Sequence, residues 1–163
     1  MTEAELNRII SSSIARNGWS HKISDAAQGK GGLLPFDGFG IFKPGEADGV
    51  PIYWEAKNLK KPEAFNFNDL QNHQIDNLRA ISHLCKAAVP LFLVCVDYGR
   101  MNKKVFVFKD MDYIFQRKVD KKSILKKEFD KRRNFVLIRK DKIDFNEILA
   151  MPREWEYEEV ENK

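Results

Sequence analysis

The most restrictive feature of this sequence is an apolar segment near its middle, VPLFLVCV at residues 89–96. Hydrophobic side chains occupy consecutive positions there instead of alternating with polar ones, which is typical of a strand that is buried on both faces. A strand of this kind needs a layer of helices on each side of its sheet. The sequence therefore predicts an α/β or α+β fold with this strand at its centre.

The residues before this strand predict one helix and a hairpin. Thr2 and Glu5 have the spacing of a capping box, and the apolar residues after them recur at helical intervals, which predicts a helix over residues 2–16. Extended segments at 33–42 and 50–57 are separated by a turn rich in glycine and proline. This arrangement predicts two antiparallel strands.

The polar, glycine-rich residues 20–32 are predicted to form a loop, and a second amphipathic helix is predicted over 69–86. Downstream, the patterns predict a strand at 103–108, basic helices at 110–117 and 122–131, a strand at 134–139 and a short helix at 144–150. No internal repeat or linker interrupts this series. The expected organisation is one domain over residues 1–150, followed by an acidic tail at 151–163.

Length and composition exclude several classes of protein. The 163 residues are 43% hydrophobic and 32% charged, which supplies a core and argues against a disordered chain. No apolar run approaches the roughly 18 residues needed to cross a bilayer, and the N-terminus lacks the pattern of a signal peptide. We therefore expect a cytoplasmic protein without a membrane partner. Cys85 and Cys95 lack the paired spacing of a zinc or disulfide site and are expected to be packing residues.

The net charge of +4 is distributed unevenly. Residues 101–142 contain 15 basic and 6 acidic side chains, whereas residues 143–163 contain 2 and 7. A local excess of this size attracts a polyanion such as nucleic acid, although a solvated lysine-rich surface explains the same composition. The candidate DNA-contacting side chains lie in this basic segment and in the predicted glycine-rich loop: Lys22, Lys30, Lys121, Lys122, Lys126, Lys127, Arg132 and Arg133.

The most informative polar residues are Asp37 on the first hairpin strand and Glu55-Ala56-Lys57 on the second. Residues two apart in a strand point to the same side, so Glu55 and Lys57 share a face. If the hairpin pairs as predicted, Asp37 lies close to Glu55, and two ionised carboxylates that close need a cation between them. Oxygen ligands suit Mg²⁺. The predicted cofactor is Mg²⁺ held by Asp37, Glu55 and the Ala56 backbone carbonyl, and Mn²⁺ is expected to substitute for it.

A metal ion beside an ammonium group suits phosphodiester hydrolysis. That reaction needs an activated water molecule and neutralisation of the charge that develops on the phosphate. The metal would supply both, and Lys57 would hold the attacking water and offset the negative charge. However, an E-x-K pattern occurs by chance in many chains. The three residues alone favour an ordinary ion pair on the sheet surface, with Asp37 as a turn residue.

The wider context resembles the PD-(D/E)XK nuclease fold, in which a helix and an Asp-bearing strand precede an E-x-K strand, a helix and an apolar strand. The run FNFNDLQNHQIDNL at 65–78 is similar to the segment after the E-x-K strand in RecU-type Holliday-junction resolvases, whose His-Gln pair falls on His73-Gln74. The Glu-Ala-Lys of that family falls on residues 55–57, and its upstream aspartate falls on Asp37. The similarity covers most of the chain.

The resemblance implies a restriction-endonuclease-like mixed sheet flanked by helices, with an αβββαβ core. It also implies individual roles. Asp37 and Glu55 would be magnesium ligands, Lys57 the catalytic lysine, and Gln74 an active-site polar group from the second helix. Glu5 is a further candidate ligand from the first helix, and its local capping role is the alternative.

The implied function is that of a Mg²⁺-dependent, homodimeric endonuclease, bacterial or phage-encoded, that resolves four-way DNA junctions by paired cuts and leaves 5′-phosphates. The residues before Asp37 are too few for the long stalk of the RecU-type family, so the resemblance implies nuclease chemistry more firmly than junction selectivity. Two alternatives remain: a nuclease of the same fold that acts on duplex, flaps or ends, and a non-catalytic basic module that binds branched DNA.

Four aromatic residues surround the predicted site: Phe39, Phe42, Tyr53 and Trp54. Aromatic rings can stack on nucleic-acid bases. However, the strand face opposite a catalytic face must be buried against the rest of the protein. We therefore expect most of these rings to lie in the core, and Trp54 in particular.

Overall fold

The chain folds around a mixed six-stranded sheet in this computed structural model, which describes residues 1–23, 35–59, 63–99, 101–121 and 123–154. The helices are α1 (Glu3–Ala15), α2 (Asn72–Leu84), α3 (Met111–Asp120), α4 (Lys126–Phe129) and α5 (Phe145–Ala150), with a 3₁₀ turn at Phe67–Asp69. The strands are β1 (Gly18–Lys22), β2 (Gly38–Phe42), β3 (Val50–Asn58), β4 (Ala64–Asn66), β5 (Val89–Asp97), β6 (Lys103–Phe108), β7 (Ser123–Leu125) and β8 (Phe135–Leu137). The predicted fold class, a mixed sheet flanked by helices, is confirmed.

The main sheet has the strand order β1-β2-β3-β5-β6-β8. Strands β3 and β5 run parallel, and the other neighbouring strands of this sheet run antiparallel. A parallel pair needs a crossover connection, which contains α2. Strand β5 is buried continuously from Pro90 to Val96, as the unbroken apolar run predicted.

Helices cover the sheet on both faces and create two hydrophobic cores. On one face, α1 and α5 pack against β-strand side chains that include Trp54 and Leu91. On the other face, α2, α3 and α4 pack against side chains that include Phe92 and Phe106. The alternation of side chains along β3 therefore divides its residues between an α1 side and an α2 side.

Three segments differ from the sequence-based predictions. Residues 20–22, predicted as part of a loop, belong to the edge strand β1, where polar and charged side chains remain exposed. Residues 64–66 and 123–125 form the small sheet β4–β7, although a loop and a helix were predicted there. This pairing joins segments distant in sequence, which local periodicity does not detect. With β1, the order becomes α1-β1-β2-β3-α2-β5, apart from the short inserted β4.

Some predictions fall outside the residues that the structure describes. These are the DNA contacts of Lys30 and Lys122 and the acidic tail from residue 155 onward. Within the described ranges, none of the helices combines the length and the apolar character that crossing a lipid bilayer requires.

Candidate active site

Strand β3 places Glu55 and Lys57 on the α2 side of the sheet, while Trp54 and Ala56 enter the core beneath α1. Glu55 is completely buried, with 0% of its surface exposed. The Lys57 Nζ atom lies 2.7 Å from Glu55 Oε1. The predicted shared face of these two residues is confirmed, and they form a buried ion pair.

Gln74 reaches the same carboxylate from the first turn of α2. Its Nε2 donates a hydrogen bond of 2.7 Å to Glu55 Oε1, and its Oε1 accepts one of 3.0 Å from the Gln71 backbone N–H. Because Oε1 already bonds to a main-chain donor, the amide must present its NH₂ group to Glu55. Gln74 is only 8% exposed. Gln74 therefore lies beside Glu55 as a neutral hydrogen-bond donor that is held in one orientation.

Asp37 lies immediately before β2 and contacts the backbone of β3. Its N–H donates to the Trp54 carbonyl at 3.0 Å, and its Oδ2 accepts from the Ala56 N–H at 2.8 Å. The N–H and C=O groups of one strand residue point to the same neighbouring strand, so the Ala56 carbonyl also points toward the Asp37 side. The following residue, Gly38, permits this close approach because a Cβ there would lie 2.2 Å from the Trp54 ring.

Asp37 lies near enough to Glu55 for its negative charge to act on that carboxylate. Phe39 is paired with Tyr53 in the ladder, and their rings stack with centroids 6.2 Å apart. Asp37 is two residues before Phe39, and Glu55 is two residues after Tyr53. Alternation along β3 places Tyr53 and Glu55 on one face, whereas Asp37 precedes β2 and is positioned by its hydrogen bond from the Ala56 N–H.

Burial, followed by the negative charge of Asp37, raises the pKa of Glu55 to about 7 against the opposing effect of Lys57. Burial by itself would lower the pKa of Lys57, but the adjacent Glu55 carboxylate outweighs it and the pKa is raised. Lys57 is thus held as an ammonium ion. The second carboxylate oxygen, Glu55 Oε2, is buried and meets no hydrogen-bond donor among the described residues.

These oxygens fit a divalent cation. Glu55 Oε2 is a buried acceptor that the described part of the chain leaves unsatisfied, and a carboxylate in that state is costly unless a cation is near. Within the described ranges, no three His, Cys, Asp or Glu side chains form a metal-ligand cluster. The available set is two carboxylates and a backbone carbonyl, which suits Mg²⁺ because that ion usually keeps several water ligands.

The structure places Glu5 in the capping box of α1 and away from this group. The Thr2 N–H donates to Glu5 Oε2 at 2.6 Å, and the Glu5 N–H donates to Thr2 Oγ1 at 3.1 Å. The hydrogen bond from the Thr2 backbone lowers the pKa of Glu5. The local alternative is thus confirmed, and Glu5 is not positioned as a metal ligand.

Glu3 is the helix carboxylate that approaches the site, and sequence analysis missed it. Its Oε2 lies 3.8 Å from Lys57 Nζ, and its Oε1 is buried without a donor among the described residues. The start of α1 is held beside the end of β3 by a 2.9 Å hydrogen bond from Asn58 Nδ2 to the Met1 carbonyl. Both acids lie in the first turn, but Glu5 closes the capping box and Glu3 points toward Lys57.

The predicted DNA-contacting residues are in different environments. Lys22, Lys121, Lys127 and Arg133 are exposed. Lys126 is half-buried, and its Nζ lies 3.0 Å from Asp130 Oδ2. Arg132 is only 3% exposed, so its guanidinium is not available to a DNA backbone. The prediction for Arg132 is wrong because tertiary packing buries its side chain.

The aromatic prediction is confirmed for two of the four rings. Phe42 and Trp54 are core residues, and the Trp54 Nε1 donates to Asn7 Oδ1 at 2.9 Å. Phe39 and Tyr53 are half-buried and lie on the face that carries Glu55.

A sizeable cavity lies away from the candidate site. A cavity of about 720 Å³ lies between α1, β8 and α5, on the side of the sheet opposite Glu55. Its lining includes none of the four predicted catalytic residues. The candidate site is therefore identified by its buried, unsatisfied carboxylate chemistry and not by a large pocket.

Comparison with known proteins adds no family to this picture. No protein-family model matches the chain, and no curated protein matches it significantly.

The raised pKa of Glu55 predicts a pH-dependent stability. Because the folded pKa of about 7 lies above the ordinary value of 4.5, the stability from this group is present below pH 4.5 and is lost as the pH rises through 7. Glu55→Gln keeps the side-chain size but cannot ionise. Between pH 5 and 8, wild-type protein in a metal chelator should lose about 1–3 kcal/mol more unfolding free energy than the variant.

Urea denaturation at the two pH values measures this difference. Glu46→Gln, an exposed position in the β2–β3 turn, is the matched control and should follow the wild-type pH dependence. If the unfolding free energies of wild type and Glu55→Gln change equally with pH, the pKa of Glu55 is not raised in the folded protein.

Proposed function

We propose that this protein is a Mg²⁺-dependent endonuclease of the PD-(D/E)XK type, with a restriction-endonuclease-like fold, that resolves four-way DNA junctions. The observation that supports it most strongly is the buried Glu55 carboxylate, bonded to Lys57 and Gln74 with Asp37 beside it. The order α1-β1-β2-β3-α2-β5 is the one that the RecU-type resemblance implies. Asp37 precedes β2, the E-x-K residues lie on β3 and Gln74 lies on α2, which is compatible with that resemblance.

An ordinary structural ion pair explains this group less well. A buried ion pair rarely stabilises a fold more than apolar residues would, and it does so only when every polar atom is satisfied. Here Glu55 Oε2 and Glu3 Oε1 are buried acceptors with no donor in the described residues. The fold thus bears an electrostatic cost that a cation and a phosphate-bearing substrate would offset. Strongly shifted pKa values of this origin are concentrated at functional sites.

The side chains have distinct roles in the proposed hydrolysis. Asp37, Glu55 and the Ala56 carbonyl would hold Mg²⁺, which supplies a water of lowered pKa and neutralises phosphate charge when bound. Lys57 positions the attacking water and offsets the negative charge that builds up on the phosphorus-bound oxygens. Gln74 keeps the Glu55 carboxylate in one orientation without adding charge. Glu3 adds a second acidic group near Lys57 Nζ.

Junction resolution requires contacts beyond this group. Four-way junctions carry two strands of like polarity that must be cut in pairs, which a two-fold homodimer with two sites provides. Exposed Lys121, Lys127 and Arg133 supply positive charge for backbone contacts. These contacts do not depend on base sequence, so the selectivity would come from DNA shape. We expect the products to carry 5′-phosphates.

Single substitutions test the site. Asp37→Asn and Glu55→Gln should each reduce Mg²⁺-dependent cleavage of a four-way junction by at least about 10³-fold, because each removes a ligand charge worth several kcal/mol in the transition state. Binding of the junction in Ca²⁺ should change little. Glu5→Gln is the matched control: it keeps the capping box, which accepts either Glu or Gln, and should cleave at the wild-type rate.

The same assay separates the alternatives. Intact junction, flap and linear duplex are compared side by side, and the mass of the protein in solution is measured by light scattering. Equal cutting of all three substrates would favour a general nuclease of this fold. Binding without cutting of any of them would favour a non-catalytic module. Wild-type cleavage by folded Asp37→Asn and Glu55→Gln variants would rule out this active site.

The salt dependence of binding tests the basic surface. Replacing both Lys121 and Lys127 with Gln should lower the slope of log K against log salt by about 2, since each lost phosphate contact removes about one unit. The control replaces Lys43 and Lys86, two exposed lysines elsewhere, and should leave the slope closer to that of the wild type. If the slope falls equally in both double variants, Lys121 and Lys127 contact the DNA phosphates no more than other exposed lysines do.

A further inference from the structure

A row of aromatic rings lies on the outer part of the sheet, on the face that carries Glu55. It consists of Trp19 and His21 on β1, Phe39 on β2 and Tyr53 on β3, and we call it the aromatic strip. His21 is paired with Phe39, and Phe39 with Tyr53. Their ring centroids are 5.7 and 6.2 Å apart, and Trp19 stacks on His21 at 6.3 Å. The rings therefore form a continuous surface across three strands.

The outer part of the aromatic strip is unusually exposed. Trp19 is 53% exposed, and its ladder partner Ile41 is 48% exposed. Tyr53, at the inner end, packs edge-on against Phe36 with centroids 5.4 Å apart. Helix α2 packs over β3 and β5, and the rings of β1 and β2 extend beyond it. A contiguous apolar patch of this kind on a protein surface indicates an interaction site.

The aromatic strip continues directly into the candidate active site. Tyr53 is two residues before Glu55 on β3, and Phe39 is two residues after Asp37 at the start of β2. Successive residues on one face of a strand are separated by about 7 Å. The carboxylates therefore lie only about 7 Å beyond Phe39 and Tyr53, within reach of a ligand that lies along the strip.

The chemistry of the aromatic strip fits unpaired nucleotides. Every base has a π-face, and stacking on protein rings stabilises single-stranded DNA without regard to sequence. Lys22 follows His21 in β1 and is paired with Gly38, so its side chain points to the opposite face of the sheet and adds no charge to the strip. A row of exposed aromatic rings is a usual component of a surface that binds single strands.

We infer that the aromatic strip binds the bases of a single-stranded DNA segment whose backbone continues into the Glu55 site. The preferred substrates would then be DNA branches with an unpaired strand, such as flaps or opened junctions. The cutting part of this inference depends on the proposed nuclease function. The binding part does not, because single-stranded DNA binding is measured without cleavage.

A second copy of the chain is a less suitable occupant. Trp19 and Ile41 each expose only about half of their surface, and a whole aromatic side chain contributes about 150–250 Å². A standard protein interface buries about 800 Å² per partner. The area is thus too small for a stable dimer through this surface alone, whereas it accommodates a few stacked bases.

Binding of a fluorescent oligothymidine to the full chain in Ca²⁺ tests the inference. Trp19→Ala and Phe39→Ala should each weaken binding by about 5- to 100-fold, because each removes a stacking ring. Trp19→Phe should restore most of the affinity, since a ring remains. Ile41→Ala, which removes a neighbouring aliphatic side chain of the same surface, is the matched control and should change the affinity by less than about twofold.

The outcomes separate the two proposals. If Trp19→Ala and Phe39→Ala bind oligothymidine as wild type does, the inference is overturned even if the protein cuts DNA. If both variants lose this binding while the wild-type protein cuts no substrate, the aromatic strip stands and the nuclease proposal fails. If Trp19→Ala instead converts a dimer to a monomer and leaves oligothymidine binding unchanged, the strip is a self-association surface and the inference is wrong.

Discussion

The buried carboxylate of Glu55 is the constraint on which the rest of the account depends. One of its oxygens is bonded to both Lys57 and Gln74, and the other faces no donor within the described residues. A fold that only needed stability would avoid this arrangement, because desolvating a carboxylate costs more than one ion pair restores. Strands β2 and β3, the first turn of α2 and the start of α1 all direct polar groups toward the same point. The scaffold therefore maintains an electrostatic centre that a cation and a phosphate would complete.

Much of this scaffold could be predicted from local patterns. The consecutive apolar residues of β5 established a sheet covered on both faces, and the alternation along β3 put Glu55 and Lys57 on one side. The capping box fixed the start of α1. Strand β1 was missed because its exposed edge position allows polar residues, so it lacks the hydrophobic alternation by which strands are recognised. Strands β4 and β7 were missed because each is stabilised by the other across a long stretch of sequence.

The limits at the site have the same origin. Asp37, Glu55 and Lys57 were singled out because residue type and strand period are visible in a sequence, and Gln74 was singled out by the RecU-type resemblance. That Glu3, and not Glu5, approaches Lys57 was not visible in the sequence. This depends on how α1 docks against β3 through the hydrogen bond between Asn58 and Met1. The burial of Arg132 likewise depends on tertiary packing. The aromatic strip could not be separated from the core until β1 was placed, since Trp19 and His21 give it its exposed half. The nucleic-acid partner proposed here was suggested by charge and aromatic content, but only geometry tells which side chains would be available to it.

The central claim is that Asp37 and Glu55 together hold one divalent cation. Calorimetric titration of Mn²⁺ into the protein at pH 8, where Glu55 is ionised, tests it most directly. The account predicts one binding site in the wild type and in Glu5→Gln, and its loss in both Asp37→Asn and Glu55→Gln. Absence of binding to the wild-type protein, or equal binding by all four proteins, would contradict it.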